Sequence, residues 1–358
     1  MSYKKYITFL ISFIVLFISY HLLVYNLFTN KIFNLPKGYI VGDLGRMSYL
    51  VNFSILRKTE VDLNCSHFYM KNFKEQPYDV ITLGDSFFNG GGGGKNPYLQ
   101  DYMVKYTHLK ILNILNFNPK QSPIYLIENL IKIGWFDHYK PKYLILESVT
   151  RSLTGKFDLN NKYPINTIKE MNQKIISPGY SLFTYVPTIK LINTANYKIP
   201  YYNIAYLFNN HAQKDVYKFH LKKQLFSKNK REILFYHEGV EHASAFTHAK
   251  VQDINKKLNA ISHKLKRIGI KLIFLVAVDK YDLYSPYLKE KNLPKNHFFQ
   301  NFDEIKKDYI FINTKEILQP YLDYNSSKSL DIFYLDDTHW TYKANDIIAK
   351  FIAKKLKK

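Results

Sequence analysis

Short apolar runs alternate with helical periodicities along most of the chain. Strands are predicted over Asp79–Leu83, Leu109–Leu115, Lys142–Glu147, Lys271–Val278 and Tyr309–Asn313. Helices are predicted over Tyr98–His108, Ser122–Tyr139, Thr247–Arg267 and Thr341–Leu356. The run KYLILE, Lys142–Glu147, is almost continuously apolar, which is typical of a strand buried on both faces of a parallel sheet. The alternation indicates the α/β class, with a doubly wound parallel sheet between two layers of helices.

One long stretch interrupts this alternation. The residues Ser152–Ala245 are rich in Tyr, Asn and Lys and follow no regular period. A loop of that length is uncommon in a compact domain unless it has a structure or function of its own. We therefore predict a large insertion above the carboxyl ends of the strands, where ligands bind in such sheets.

The N-terminus is the most apolar part of the chain. No Asp, Glu, Lys or Arg occurs from Tyr6 to Asn30. As a helix, Tyr6–Phe28 would be about 35 Å long, which exceeds the ~30 Å hydrocarbon core of a bilayer. A cleaved signal peptide would have a shorter apolar region and small residues after it, whereas Asn30–Phe33 (NKIF) follows here. We predict an uncleaved single-pass anchor at residues 1–30, a juxtamembrane lead-in at 31–78 and the main domain at 79–358.

The distribution of charge bears on topology and on partners. The lysines on either side of the apolar segment give little positive-inside bias, but the short N-terminal tail favours a main domain in the periplasm or at the cell exterior. The net charge is +22, from 51 basic and 29 acidic residues. No nucleic-acid-binding signature accompanies this charge, so no nucleic-acid partner is predicted. The densest basic stretch, Lys218–Arg231, is expected to face anionic lipids or an anionic surface polymer.

Cofactor chemistry finds little support in the sequence. The single cysteine, Cys65, cannot form an internal disulfide, and metal binding through cysteine is excluded. The histidines His237, His242 and His248 lack a metal-ligand spacing. No metal or other cofactor is predicted.

A serine stands at the end of the first predicted strand. The segment VITLGDSFFNGGGGG, Val80–Gly94, runs from an apolar strand through a sharp turn at Ser86 into five consecutive glycines. A strand that ends at a tightly turned serine is how α/β hydrolases present a nucleophile, and glycines let backbone N–H groups approach a substrate. The plain alternative is a strand, a turn and a loop without contacts.

A histidine stands in the corresponding position before the last predicted helix. The segment IFYLDDTHWTYKAND, Ile332–Asp346, contains His339 in the loop that precedes this helix. In a parallel sheet that loop lies at the same edge as the turn after the first strand, so His339 is expected to reach Ser86. Either Asp336 or Asp337 could orient the imidazole and stabilise its protonated form.

The GDSF and DDTHW segments together resemble the first and last blocks of the SGNH (GDSL-like) hydrolase superfamily. The wording DTHW is most similar to its polysaccharide O-acetyltransferase branch, which includes the alginate O-acetylation proteins. The middle segments ILESVTRSL (Ile145–Leu153) and VDKYDLYSPYL (Val278–Leu288) extend the resemblance. It implies an SGNH/flavodoxin-like three-layer sandwich in which Ser86 is the nucleophile and His339 the general base.

The sequence departs from the family pattern in three respects. The serine segment precedes the DTHW segment, which is the usual SGNH order and differs from that of the alginate proteins. This order also resembles membrane-anchored proteins that add D-alanine to teichoic acids. The superfamily's glycine–asparagine block is replaced by Glu147–Arg151. The general superfamily spacing favours Asp336 as the triad acid, while the alginate-type DTHW favours Asp337.

The resemblance also implies a mechanism. Ser86 would attack an acyl donor with His339 as base and form an acyl-serine. The oxyanion would be held by the Ser86 N–H, by an N–H from the glycine run (Gly90 or Gly91), and by Arg151. An ion pair with Glu147 is the simpler role for Arg151.

The predicted function is that of an anchored extracytoplasmic O-acyltransferase that places acetyl groups on a cell-surface polysaccharide. Its expected partners are an acyl donor, the polysaccharide acceptor, the membrane, and an integral-membrane protein that delivers the acyl group. A carbohydrate esterase of the same fold is the nearest alternative. D-alanyl transfer to teichoic-acid-like polymers and a non-catalytic glycan-binding module are the others.

Overall fold

The computed structural model describes residues 3–115, 121–177, 188–228, 231–322 and 331–356. The helices α1–α15 are, in order, Tyr3–Val24, Asn30–Phe33, Asp43–Ser48, Leu99–Thr107, Pro123–Lys132, Trp135–Tyr139, Leu153–Phe157, Ile168–Ile176, Ala195–Ala205, His237–Glu241, His248–Arg267, Lys280–Tyr284, Phe298–Asp303, Thr314–Leu318 and Tyr342–Leu356. The strands β1–β9 are Tyr39–Ile40, Arg57–Lys58, Val80–Gly84, Ile111–Leu115, Tyr143–Val149, Val216–His220, Glu232–Tyr236, Lys271–Ala277 and Ile310–Asn313. A π-helical segment, Tyr25–Thr29, joins α1 to α2.

The central sheet has five parallel strands in the order β4-β3-β5-β8-β9. If only the strands of this sheet are numbered, in chain order, the spatial order is 2-1-3-4-5. The direction of winding reverses between the first and third of them, β3 and β5. Because parallel crossovers are right-handed, helices on either side of the reversal cover opposite faces. Accordingly α5 packs with α11, and α4 packs with α15. The predicted α/β class with a parallel sheet is confirmed.

The strands occur where the apolar runs predicted them. The strand β8 is buried along its length except at its first residue, Lys271, as expected for the interior of a parallel sheet. The predicted helix Ser122–Tyr139 differs, because it is divided into α5 and α6. The break is at Gly134, whose φ of +70° is a left-handed conformation that a continuous right-handed helix does not contain.

The predicted insertion, residues 152–245, contains regular structure. Its described part includes α7, α8, α9, the antiparallel hairpin β6–β7 and α10. The hairpin leads into α10. Helix α10 packs against α12, which is the helix that follows β8 in the chain. Residues 178–187 and 229–230 of this stretch lie outside the described residues.

The predicted lead-in, residues 31–78, packs on the main domain. Its strands β1 and β2 pair with each other, and Phe68 bridges to the edge of β4 through two backbone hydrogen bonds of 2.8 Å. Ahead of it, Tyr3–Phe33 is the one helix in the described chain that is long and apolar enough to span a membrane. An 18-residue window of this helix has a mean hydropathy of 2.4, and 11% of that window is buried.

Candidate active site

Ser86 lies in the turn directly after β3, at the carboxyl edge of the sheet. The neighbouring Asp85 organises this turn, because its side chain accepts a hydrogen bond from the Phe87 N–H and its carbonyl accepts from the Phe88 and Asn89 N–H groups. The Ser86 side chain is exposed, whereas Phe87 and Phe88 are buried beneath it. The turn therefore presents the hydroxyl to solvent on a fixed base.

His339 is carried by a tight loop between Phe333 and α15. Phe333 and Trp340 form an antiparallel bridge, and the Thr341 N–H donates to the Ile332 carbonyl over 2.8 Å. Thr341 also accepts a hydrogen bond from the Lys343 N–H in the first turn of α15. The Phe87 ring packs 4.9 Å from the His339 ring between centroids, so the two segments are in direct contact.

The structure brings Ser86, His339 and Asp337 together in one hydrogen-bonded chain. The distance from Ser86 Oγ to His339 Nε2 is 2.7 Å. The distance from His339 Nδ1 to Asp337 Oδ1 is also 2.7 Å. A carboxylate can only accept, so Nδ1 carries the proton and Nε2 is free to accept from the serine hydroxyl. This is the arrangement of a nucleophile, a base and an orienting acid.

The two aspartates that the sequence left open have different partners. Asp337 contacts His339, whereas Asp336 does not and instead accepts from the Gly42 and Ile55 N–H groups, each over 2.8 Å. Arg57 bridges both carboxylates, with Nη1 on Asp336 at 2.8 Å and Nη2 on Asp337. The planar guanidinium suits two acceptors at once. The geometry thus gives Asp337 the orienting position and Asp336 a structural one.

Arg57 belongs to the segment that the sequence indicated only as a lead-in. It is 9% exposed, lies 4.0 Å from the centre of the Tyr334 ring, and donates to the Gly92 carbonyl from Nε at 3.0 Å and Nη2 at 2.9 Å. From the same segment, Asp43 accepts from the N–H and hydroxyl of Thr338, at 2.8 Å and 2.6 Å. No family motif marks either residue, since both are distant in sequence from the serine and histidine blocks.

The charges around His339 favour its protonated form. Burial alone lowers the pKa of His339, but the hydrogen bond and charge of Asp337 outweigh it and raise the pKa above its usual value. Burial alone raises the pKa of Asp337, and Arg57 and His339 reverse this and hold it well below its usual range. Asp337 therefore stays ionised at any pH at which the His339 imidazole is neutral.

A second buried carboxylate pair lies behind the serine. Glu147 Oε2 accepts from the Asp85 N–H at 2.8 Å, and Asp85 Oδ2 accepts from Lys156 at 2.8 Å. Burial raises the pKa of Asp85, but Lys156 and backbone N–H groups outweigh it and lower the pKa to about 2. Burial and the Asp85 charge raise the pKa of Glu147 well above its usual value. Glu147 thus supports the turn that carries Ser86.

Arg151 pairs with Asp279, the residue after Val278 at the end of the next strand. The expected ion pair with Glu147 is absent from the described contacts because Glu147 turns towards Asp85. The guanidinium of Arg151 lies 5.9 Å from the Phe87 ring centre and 5.5 Å from that of Tyr236. Its charge reaches His339 and opposes the rise in the pKa of that imidazole.

The two glycines singled out in the sequence have different environments. Gly91 lies against the site, since a Cβ there would be 2.5 Å from His339 Nε2 and 2.9 Å from Ser86 Cβ. Its N–H already donates to the Ser86 carbonyl at 2.8 Å, so it is not a free oxyanion donor. Gly90 has a φ of +71° and a Cβ there would meet the Tyr98 ring at 2.9 Å. Both positions require glycine, the first for space and the second mainly for conformation.

A buried lysine fixes the loop that carries the aspartates. Lys280 is 2% exposed, and its ammonium donates to the carbonyls of Tyr334 and Leu335 at 2.8 Å and of Asp337 at 3.1 Å. Burial lowers the pKa of Lys280 to about 8, against the pull of the nearby aspartates. The residue lies in the segment VDKYDLYSPYL, which the sequence singled out without assigning it a role.

Asp43, Asp337 and His339 are close enough to be considered as metal ligands. Their ligand atoms already have partners, because Asp43 accepts from Thr338, Asp337 from Arg57 and His339, and His339 Nε2 contacts Ser86. A guanidinium next to the group also disfavours a cation. The cluster fits a triad better than a metal site.

The five-stranded parallel sheet with a serine–histidine–aspartate chain at its carboxyl edge is the arrangement that the resemblance to the SGNH hydrolases implied. Residues 229–358 match the ALGX family model, described as the SGNH hydrolase-like domain of the acetyltransferase AlgX. The resemblance inferred from the motifs is thereby confirmed. The match includes His339 and Asp337 but begins after Ser86. A comparison with curated proteins gives no significant match.

Proposed function

We propose that the protein is a serine O-acyltransferase of the cell envelope that transfers acetyl groups to a polysaccharide. The observation that carries this proposal is the Ser86–His339–Asp337 chain, with both hydrogen bonds at 2.7 Å and an exposed serine hydroxyl. The similarity of residues 229–358 to the domain of an acetyltransferase supports acetyl as the group transferred.

The reaction proceeds in two displacements. His339 Nε2 takes the Ser86 proton as Oγ attacks the acyl carbonyl, and it returns that proton to the leaving group of the donor as the bond to the acyl carbon breaks. A sugar hydroxyl then gives its proton to Nε2 and attacks the acyl-serine, and Oγ leaves and regains the proton. Asp337 accepts the Nδ1–H throughout and stabilises the imidazolium.

The oxyanion is held by backbone donors beside the serine. Within the described residues the Ser86 and Gly92 N–H groups have no hydrogen-bond partner, so both are available. Arg151 adds a positive charge near the site but is tied to Asp279. We therefore assign the principal role to the Ser86 N–H and an auxiliary, electrostatic role to Arg151.

A groove beside the nucleophile offers room for a polymeric acceptor. It encloses about 790 Å³ and shares Tyr342 with the small depression that contains Ser86 and His339. Aromatic rings of Tyr102, Tyr321 and Phe351 line it together with the lysines Lys95, Lys105, Lys343, Lys350 and Lys354. Asp62 and Asp346, which also line the groove, pair with Lys95 and Lys350. Rings and ammonium groups in one groove suit an anionic glycan. In the basic stretch Lys218–Arg231, Lys218 is 8% exposed and paired with Glu232, whereas Lys222, Lys223 and Lys228 are exposed.

The first helix anchors the domain to the membrane. The helix Tyr3–Phe33 can span a bilayer, and the main domain then lies on the periplasmic or exterior side. An integral-membrane protein that supplies the acyl group fits this placement. The anchor keeps Ser86 beside that supply.

Transfer is tested with the full chain in detergent or vesicles and 4-nitrophenyl acetate as donor. We expect slow release of nitrophenol, a faster rate when an anionic glycan is added, and acetyl groups on that glycan by mass spectrometry. Ser86→Ala is expected to abolish both activities. The matched control is Ser66→Ala, at an exposed serine outside the site, which should behave as the wild type.

An esterase would give a different result with the same protein. The exposure of the Ser86 hydroxyl leaves water free to reach an acyl-serine, which is the observation that favours this alternative. Rapid removal of acetyl groups from a preacetylated glycan, without any addition from the donor, would establish hydrolysis and overturn the transfer proposal.

A further inference from the structure

Helix α9 and the turn that follows it, residues 206–208, have apolar side chains on two opposite faces. One face packs on the protein and consists of Ala195, Ile199, Tyr202 and Tyr206. The other face, here called the outer stripe, consists of the exposed residues Tyr197, Tyr201, Ile204 and Phe208. Both sets follow the helical spacing of four, three and four. Asn196, Lys198 and Asn203 lie between the two faces, so the outer stripe is a second apolar face that the core of the protein does not cover.

The outer stripe is one of the most exposed apolar surfaces outside the first helix. Phe208 is 86% exposed, Tyr201 64% and Ile204 61%, and the neighbouring Leu207 is 72% exposed. A contiguous apolar patch of this kind marks a contact surface rather than an ordinary scattering of surface residues.

The position of α9 relative to the first helix is fixed by polar contacts. Asn196 accepts through its carbonyl from Tyr20 and through its side-chain oxygen from Thr29, each over 2.7 Å, and its amide nitrogen contacts His21 Nδ1 at 2.7 Å. Tyr197 stacks on Tyr20 with centroids 5.4 Å apart. Helix α9 is therefore held beside residues 20–29 of the membrane-spanning helix.

The length of the first helix places these contacts near one surface of the bilayer. The charge-free segment between Lys5 and Lys31 is somewhat longer than the ~20 residues that cross a hydrocarbon core of about 30 Å. If the core begins just after Lys5 it ends near residue 25, and if it ends just before Lys31 the boundary lies near residue 30. In either case α9 lies at the boundary between hydrocarbon and head groups.

The charge around α9 suits anionic head groups. No Asp or Glu occurs between Glu170 and Asp215. The exposed lysines Lys31, Lys37, Lys190 and Lys198 are found at this end of the domain. Such juxtamembrane cations are attracted to anionic lipids, and tyrosines are enriched at this depth.

An apolar cavity lies between α9 and the first helix. It encloses about 470 Å³ and is lined mainly by apolar residues, among them Val24, Leu27, Phe28, Ile199 and Pro200. Open apolar space at this depth suits the end of a lipid chain.

We propose that the outer stripe of α9 lies in the interface of the bilayer that the first helix spans, as a second membrane contact of the domain. This inference rests on the proposed anchoring by the first helix. Two attachments instead of one fix the orientation of the domain, so that the Ser86 edge keeps a constant height and direction above the membrane.

The test measures the depth of nitroxide labels on the full chain in vesicles of equal parts phosphatidylethanolamine and phosphatidylglycerol. Single cysteines are introduced in a Cys65→Ser background as Ile204→Cys and Phe208→Cys. The matched controls are Tyr163→Cys, at a tyrosine 41% exposed, and Leu16→Cys in the middle of the first helix. Oxygen concentrates in hydrocarbon, so frequent collisions of a label with oxygen indicate that it lies in the bilayer. Frequent collisions with a water-soluble nickel chelate indicate that the label lies in water.

We expect the oxygen-to-nickel collision ratio at residues 204 and 208 to be several-fold higher than at 163, and that at 16 to be higher still. If the oxygen-to-nickel ratio at residues 204 and 208 is as low as in water while that at residue 16 is high, the outer stripe does not contact the bilayer. The proposed anchor would then still stand. Aqueous ratios at all four positions would disprove both. Protection from both reagents at 204 and 208 would mean that protein covers the stripe, and the proposal would be wrong.

Discussion

At the scale of single residues, the roles of two adjacent aspartates follow from their hydrogen-bond partners. Asp337 bonds to His339 Nδ1, while Asp336 bonds to two backbone N–H groups and Arg57. The sequence could show only that one of the two aspartates would orient His339. In a loop, carboxylates two and three residues before a histidine can both reach its imidazole. The direction of each side chain depends on Gly42, Ile55 and Arg57, which are remote in sequence.

Replacing each aspartate by asparagine should separate catalysis from stability. Asp337→Asn removes the carboxylate that fixes the imidazole tautomer, so we expect kcat for 4-nitrophenyl acetate to fall by about 10⁴-fold. Asp336→Asn leaves the partners of His339 unchanged but replaces a carboxylate that accepts from the Gly42 and Ile55 N–H groups by a neutral amide. We expect a loss of about 1–3 kcal/mol in the free energy of unfolding. The effect on kcat should be much smaller. Equal, mild losses of kcat in both variants would contradict the assignment.

The pH dependence should reveal the charge balance at His339. The base must be neutral, so activity should rise with pH through the pKa of His339, which is above its usual value. The positive charge of Arg151 lowers this pKa, so Arg151→Gln should raise it and move the acid limb of kcat/KM to higher pH. Arg151→Lys keeps the charge and should leave the limb nearly unchanged. A shift to lower pH in Arg151→Gln would refute this electrostatic role.

At the scale of elements, apolar patterning predicted the strands well because they are buried on both faces. The runs 79–83, 142–147 and 271–278 each became a strand with boundaries shifted by at most two residues. Helical periodicity was less informative at Gly134, where the left-handed conformation divides one predicted helix into two. Nothing in the pattern between 31 and 78 indicated that this segment contributes to the site, because it acts through two-residue strands, the six-residue helix α3 and loops without a period.

The glycine segment after β3 should tolerate no side chain beside the histidine. In Gly91→Ala the added Cβ would clash with His339 Nε2 and with Ser86, so we expect kcat to fall by at least about 100-fold, since a displacement of the order of 1 Å is enough for such a loss. Gly155→Ala is the control, because no atom lies within 4 Å of a Cβ at that position. Measured thermal unfolding should be little changed in either variant. Full activity in Gly91→Ala would contradict the observed packing.

At the scale of the whole molecule, Arg57 connects the segment before the sheet to the loop before the last helix. Arg57→Lys keeps the charge but loses the fork that joins Asp336, Asp337 and the Gly92 carbonyl. We expect a loss of about 1–3 kcal/mol in the free energy of unfolding, measured by denaturant, together with a lower kcat. Arg267→Lys, at an exposed helix end, is the control and should match the wild type. An Arg57→Lys variant as stable and active as the wild type would refute this connecting role.

The class of fold and the proximity of Ser86 and His339 could be inferred from the sequence, whereas the residues that hold these two in place could not. Strand patterns and short motifs are local, and each can be seen within about fifteen residues. The contacts of Arg57, Asp43 and Lys280 join segments that are far apart in the chain, and a single sequence carries no signal of that proximity. The insertion was visible as a break in periodicity, but its hairpin and helices were not.

The bridge made by Arg57 also has a consequence for when the protein becomes active during its production. Two of its three acceptors, Asp336 and Asp337, lie 279 and 280 residues further along the chain, so Arg57 has all its partners only after that segment has been synthesised. Contacts of such long range form late, because the intervening chain must first lose its freedom. A nascent chain can expose Ser86 early, yet it lacks His339 and Asp337 until their segment has been synthesised and folded. If the proposed function is right, this delay acts as a safeguard, since a chain without that segment has no means of acylating the molecules around it.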